Sequence, residues 1–226
     1  MTFLLKTSTV GDGNMSRVLG PEAEALTNRR KFLEKNGFQP EYAYAELEHG
    51  DVIAVVTDTE KGKSVTADAL VTNASGVPLM LITADCFPLA YYDPVAGVIA
   101  LAHLGWKSSD LGLAGKVVRE MQKLGAKPEN VRVFIGPGIH KESYLVENPS
   151  QKEKSEWQPF LENAEGGLTR IDLIGFNKQT LMNAGVREEY IDMSPVDTAV
   201  SPEYFSHRRS AESRAAEGRF ATVVSL

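Results

Sequence analysis

The chain carries a single cysteine and four histidines in 226 residues, and the cysteine and two of the histidines fall where β-rich runs end. Asp85-Cys86 interrupts the apolar run of residues 77–92, and His103 closes the run 98–103 just before Leu104-Gly105-Trp106. A carboxylate, a thiol and an imidazole at the ends of buried strands each need a partner, because burying an unpaired polar group costs free energy. If residues 87–92 and 98–103 pair antiparallel across the 93–97 turn, Cys86 and His103 share one open end of that pair. His49 ends another strand-like run. Three readings of these residues stand side by side. Cys86, His49 and His103 supply one sulfur and two nitrogens to a zinc ion with an open fourth position. Alternatively, Cys86 is a nucleophile whose thiolate His103 favours, or a buried structural thiol beside satisfied histidines. Sequence spacing does not choose among them.

A second group is Phe205-Ser206-His207-Arg208-Arg209, a clamp for a phosphate or carboxylate, or else a solvated loop. Gly136-Pro137-Gly138 can offer backbone N–H groups to an anion or simply end a strand. Asn28-Arg29-Arg30 reads as an exposed helix face, and His140 has no evident partner.

Several elements must position these residues. Pro21 opens a helical run carrying Leu26, Phe32 and Leu33 that stops at Gly37. Residues 42–47 and 52–57 are β-rich and read as a hairpin across Glu48-His49-Gly50-Asp51. Strands are expected at 69–72, 77–83, 87–92, 98–103, 131–135, 190–193 and 220–225. Helical spacing of Leu113, Val117, Val118, Met121 and Leu124 ends at Gly125, and 172–184 reads as a further helix. Residues 150–167 read as a polar, helical surface excursion. Strands and helices do not alternate regularly, so the expected class is α+β, with mixed or antiparallel sheets and helices outside. With no repeat, low-complexity stretch or linker, one domain over 1–226 is expected.

Composition narrows the functions. One cysteine allows no internal disulfide, which points to a reducing compartment, and four histidines with one cysteine cannot ligate a cluster of copper ions. A formal charge of −6 without basic clustering argues against a nucleic-acid groove. Residues 1–6 lack a signal-peptide pattern and no run is long enough to span a bilayer. A cytoplasmic protein acting on a small molecule, monomeric or homodimeric, without nucleic-acid or membrane partners, is the expectation.

The segments Ala67-Asp68-Ala69-Leu70-Val71-Thr72, Thr83-Ala84-Asp85-Cys86-Phe87-Pro88 and His103-Leu104-Gly105-Trp106-Lys107, in this order, resemble the core of the YfiH-type laccase-domain family. Older usage calls its members polyphenol oxidases and newer usage purine nucleoside phosphorylases. Gly136-Pro137-Gly138-Ile139, Ile171-Asp172-Leu173 and the 205–209 segment follow in the family's order, so the resemblance covers nearly the whole chain. It implies an α+β domain with a mixed β-sandwich core and one zinc held by His49, Cys86 and His103. The chain departs from the family pattern at Leu47, Leu104, Lys107-Ser108, Leu145 and Asp197, and its N-terminal element, Thr7-Ser8-Thr9-Val10-Gly11-Asp12-Gly13, lacks the family's arginine.

The resemblance implies a zinc enzyme acting on purine nucleosides by phosphorolysis, with adenosine deamination as a further activity. The expected catalytic residues are Asp85, Cys86, His207 and Arg208. Trp106, Lys107, Gly136 and Arg209 are the expected substrate contacts. Two rival readings are an amidase or hydrolase of a cell-wall precursor, using a zinc-bound water or Cys86, and a non-catalytic metal-binding module.

Overall fold

Four layers build the computed structural model, which describes residues 2–213 and 216–226. The inner two are mixed β-sheets, packed face to face. One has five strands in the order Leu4–Thr7, Phe220–Ser225, Leu79–Thr83, Ala43–Glu46, Ser64–Thr66. The other has six: Ile191–Met193, Arg132–Ile135, Phe87–Asp93, Val98–Leu104, Ala69–Thr72, Ile53–Val55. Between the sheets lie Ala43, Ala45, Leu79 and Leu81 from the first and Leu70, Ala90, Ile99 and Leu101 from the second. Alternate residues of the same strands, Val71, Leu89, Tyr91, Ala100 and Ala102, face the helices Leu113–Lys123 and Leu173–Asn183. This two-residue alternation is what a strand buried on both faces demands. On the far side, the helix Glu22–Lys35 covers the first sheet through Phe32 and Leu33.

The central pair forms as the sequence indicates. Phe87–Asp93 and Val98–Leu104 run antiparallel with Pro88 opposite His103. Asp93 closes the turn, its Oδ1 accepting the N–H groups of Val95 and Ala96 at 2.8 and 3.0 Å. Among the described residues no helix is long and apolar enough to cross a membrane.

Three local expectations are corrected. Residues 43–46 and 53–55 are not a hairpin: they belong to different sheets, and the 48–51 bend carries the chain across the sandwich. The reason is a side chain outside the bend, the buried Asp68 carboxylate, which accepts the N–H groups of His49 at 2.9 Å and Gly50 at 2.8 Å. Nor is 150–167 a surface excursion. It consists mainly of short 3-10 turns and the strand Leu161–Asn163, which joins Leu145–Glu147 and Leu168–Ile171 in a small antiparallel sheet. Trp157 in this segment is fully buried, stacked on Phe176 with centroids 3.6 Å apart, and its indole N–H donates to Asp110 at 2.9 Å. Polar flanks conceal one large apolar anchor. Trp157→Ala is therefore expected to cost about 3–5 kcal/mol, readable as a lowered urea midpoint at unchanged slope. The third correction concerns Arg29, which is 2% exposed rather than part of an open helix face.

Candidate active site

His103 lies on the inter-sheet side of its strand, in phase with Ile99 and Leu101. Asp68 precedes Ala69 in the neighbouring strand and shares the same phase with Leu70. The two residues are cross-strand neighbours, with the His103 N–H donating to the Asp68 carbonyl at 2.8 Å. Their side chains meet at the open end of the sandwich, where His103 Nδ1 is 3.1 Å from Asp68 Oδ1. Both are buried. The carboxylate takes one side of the ring, so Nε2 is the atom left to face the site.

Burial works against the charge of Asp68, but hydrogen bonds from His103 and from the N–H groups of Gly50 and His49 hold its pKa below the usual carboxylate value. For His103, burial favours the neutral ring, while Cys86 and Asp68 outweigh it and raise the pKa to about 9. The neighbouring His49 is lowered by burial and by His103.

Cys86 and His103 converge on Gly105. A β-carbon there would stand 2.9 Å from Cys86 Sγ and 3.7 Å from His103 Nε2, so only glycine leaves this hollow open. The His49 ring stands edge-on to His103, centroids 4.8 Å apart. All three side chains line a cavity of about 410 Å³ together with Tyr44, Thr83 and Arg219. Sulfur and imidazole nitrogens are the donors zinc prefers, and a carboxylate behind a ligating histidine is its usual support. In kind the residues fit that ion, and Cys86 Sγ and His103 Nε2 face one hollow. As placed, no three His, Cys, Asp or Glu side chains among the described residues form a finished coordination group.

Asp85 and His49 both hold left-handed backbone, with φ of 80° and 59°, uncommon for residues other than glycine and typical of functional sites. At Asp85 this backbone sets the carboxylate under the helix His207–Ser213. Its Oδ2 accepts the Arg208 N–H at 2.7 Å and its Oδ1 accepts the Thr198 hydroxyl at 2.7 Å. Asp85 thus docks that helix beside the cavity. His207 follows, largely exposed, with Nδ1 3.1 Å from Glu217 Oε1.

A smaller cavity of about 160 Å³ opens on the other side of Cys86, between Trp106, Ile139, Tyr144, Leu173 and Arg208. His207 lines both spaces. Trp106 begins the short helix Trp106–Asp110, and Lys107 Nζ lies 5.6 Å from its ring centroid. Burial, reinforced by Cys86 and Asp85, raises the Tyr144 phenol to about 12, against a smaller opposing pull from Arg208.

Gly136 and Arg209, two of the expected substrate contacts, are not among the residues lining either cavity. The Gly136 N–H donates to the Pro88 carbonyl at 2.8 Å, and a β-carbon on Gly136 would meet Pro88 at 2.8 Å. Its turn packs against the strand Phe87–Asp93. Arg209 donates to the carbonyls of Thr198 at 2.6 Å, Ser201 at 2.7 Å and Tyr204, holding the 198–204 loop. Arg208 spends part of its guanidinium on the carbonyls of Ser143 and Leu145, at 3.3 and 3.0 Å.

Asp68 and Arg219 received no role in the sequence reading. A signal for Asp68 existed: it is an acid beside a wholly buried run, in phase with His103. Arg219 precedes the closing strand, and nothing local marks it.

Comparison with known proteins places these residues in context. The family described as multi-copper polyphenol oxidoreductase laccase matches residues 7–226. A purine nucleoside phosphorylase of Deinococcus radiodurans is 38% identical over 164 residues, which span 70% of this chain and 61% of that protein's length. One from Corynebacterium glutamicum is 29% identical over 218 residues, 94% of this chain and 86% of the relative. Among solved structures, Bacillus licheniformis YfiH superposes with a TM-score of 0.87 at 26% identity, covering 99% of this chain and 92% of that one. YlmD from Geobacillus stearothermophilus also gives 0.87, at 29% identity and 98% and 90% coverage.

Proposed function

The chain belongs to the laccase-domain family of YfiH and YlmD, and on that premise we propose that it is a zinc enzyme that cleaves purine nucleosides with phosphate and also deaminates adenosine. The names of the relatives support the substrate class. One observation carries the reading: three imidazoles, a thiol and an arginine line a single cavity of about 410 Å³, within the range of small-molecule sites. The copper chemistry in the family's description does not extend to four histidines and one cysteine.

His49, Cys86 and His103 would hold the metal, which when bound supplies a Lewis acid at the cavity wall. The chain's own residues do the rest. Asp68 accepts from His103 Nδ1–H and thereby fixes the tautomer that leaves Nε2 as a donor atom. Arg219, whose guanidinium also donates to the Gly218 carbonyl at 2.8 Å and to Glu217 at 3.2 Å, turns its remaining N–H groups to phosphate oxygens, in place of the arginine missing from the N-terminal element. Phosphate oxygen attacks the anomeric carbon, the C–N bond breaks, and its electron pair stays on the purine nitrogen, which takes up a proton. His207, backed by Glu217, is the group at the cavity mouth suited to deliver that proton. Trp106 and Tyr144 provide flat walls for the base in the smaller cavity beyond Cys86, with Lys107 over Trp106 at its rim.

The test is incubation of purified protein with adenosine and inosine, with and without phosphate, followed by separation of the products. Free base that depends on phosphate, and inosine formed from adenosine, are expected. Zinc-loaded protein yielding neither sinks the proposal. Arg219→Gln is expected to raise the KM for phosphate about 10- to 100-fold, from the ~1.5–3 kcal/mol of a charge-assisted hydrogen bond, while the KM for nucleoside changes little.

A further inference from the structure

Arg29 is unusual among the arginines because it is 2% exposed yet pairs with no carboxylate among the described residues. Its Nε donates to the Met15 carbonyl at 2.9 Å, which ties the helix Glu22–Lys35 to the glycine-rich loop before it. That explains one edge of the guanidinium. The other edge is poorly served: Nη1 has only the Tyr42 hydroxyl at 3.5 Å, and the buried Nη2 has no partner. The plane rests on Tyr44, 4.2 Å from the ring centroid, and a cation–π contact offsets only part of the cost of a buried, unpaired charge.

Arg29 lines a cavity of about 360 Å³, separate from the two described above, with Arg17, Tyr42, Lys63 and Ser64 around it. Arg17 is already committed to Glu46 and Glu22, at 2.8 and 3.6 Å. Lys63 is exposed and has no ion pair among the described residues. Glu41 is the one acid on the wall. Two cations outside any ion pair among the described residues and the hydroxyl-bearing side chains of Tyr42, Tyr44 and Ser64 therefore share with one acid a space larger than a bare tetrahedral anion requires, and Leu26 and Pro40 add apolar wall.

We propose that this cavity is a binding site for a phosphate group, carried by a small monoester or free in solution, with Arg29 as its buried anchor and Lys63 as its outer cation. Arginine's fork of donors matches phosphate oxygens, and lysine adds a point charge. The site is independent of the His49, Cys86 and His103 cluster, although Tyr44 lines both cavities.

Calorimetric titration of the Arg219→Gln protein, in which the other cavity has lost its cation, tests the assignment with glycerol 2-phosphate and inorganic phosphate in parallel. Saturable one-to-one binding is expected, weakened about fivefold or more by adding Lys63→Met and about tenfold or more by adding Arg29→Lys. Tighter binding of the monoester assigns the site to monoesters, and equal binding assigns it to free phosphate; both support the site. Absence of saturable binding, or binding that Lys63→Met leaves unchanged, overturns it. Lys63 is exposed and uninvolved in the core, so its variant keeps the test open if Arg29→Lys disturbs folding.

Discussion

Cys86→Ser is expected to lose zinc and nucleoside turnover together, with kcat/KM falling on the order of 10³-fold or more. That corresponds to the several kcal/mol of transition-state stabilisation that a bound metal supplies. The thiol and His103 Nε2 converge on the hollow that Gly105 leaves open, and the chain has no second cysteine to take over. Metal analysis and turnover on one preparation separate the three readings of Cys86. Loss of both marks a ligand. Turnover lost with stoichiometric zinc retained marks a nucleophile, activated by the imidazole whose pKa it raises. If neither changes, Cys86 is a packing residue and the zinc proposal fails.

Asp68→Asn carries the second large effect. The carboxylate accepts from three donors: His103 Nδ1 and the N–H groups of His49 and Gly50. An amide has one oxygen for them and turns its NH₂ toward at least one donor. Breaking such a buried charged network is expected to cost about 3–5 kcal/mol, seen as a lower denaturation midpoint. Zinc affinity is expected to fall about 10- to 100-fold, the usual effect of removing the group behind a ligating histidine. A variant as stable as the parent, with unchanged zinc titration, would show that Asp68 does not organise the site.

Both residues illustrate what the sequence made legible. The pairing of 87–93 with 98–104, and hence the nearness of Cys86 and His103, followed from two apolar runs joined by a tight Asp-Pro turn, a local signal. The helix Glu22–Lys35 was legible from Pro21 and Gly37 for the same reason. Asp68 was harder, because its partners lie 19, 18 and 35 residues away, and only pairing of the strands brings them together. The supposed hairpin at 48–51 failed on that same long-range contact: local turn chemistry suggested a reversal, but the carboxylate folds the bend across the sandwich. Trp157 hid among lysines and glutamates whose polarity concealed its burial. The arginines at 208 and 209 are adjacent and alike in sequence, yet one reaches the smaller cavity while the other braces a loop. Helix phase separates them, and a residue-type argument cannot.

The phase of the central strands has a further consequence for folding. His103 and Asp68 occupy the same alternating positions as Leu101 and Leu70, so a one-residue slip of either strand would turn its polar side chain toward the helices. A slipped Val98–Leu104 strand would place Leu104 at the cavity and turn the imidazole, together with Ile99 and Leu101, toward the helix side chains. The donor set therefore assembles in one alignment of the sheet only. If the proposed zinc is held there, its capture during refolding would be a readout of correct strand alignment, able to distinguish native chains from compact misaligned ones with the same secondary-structure content.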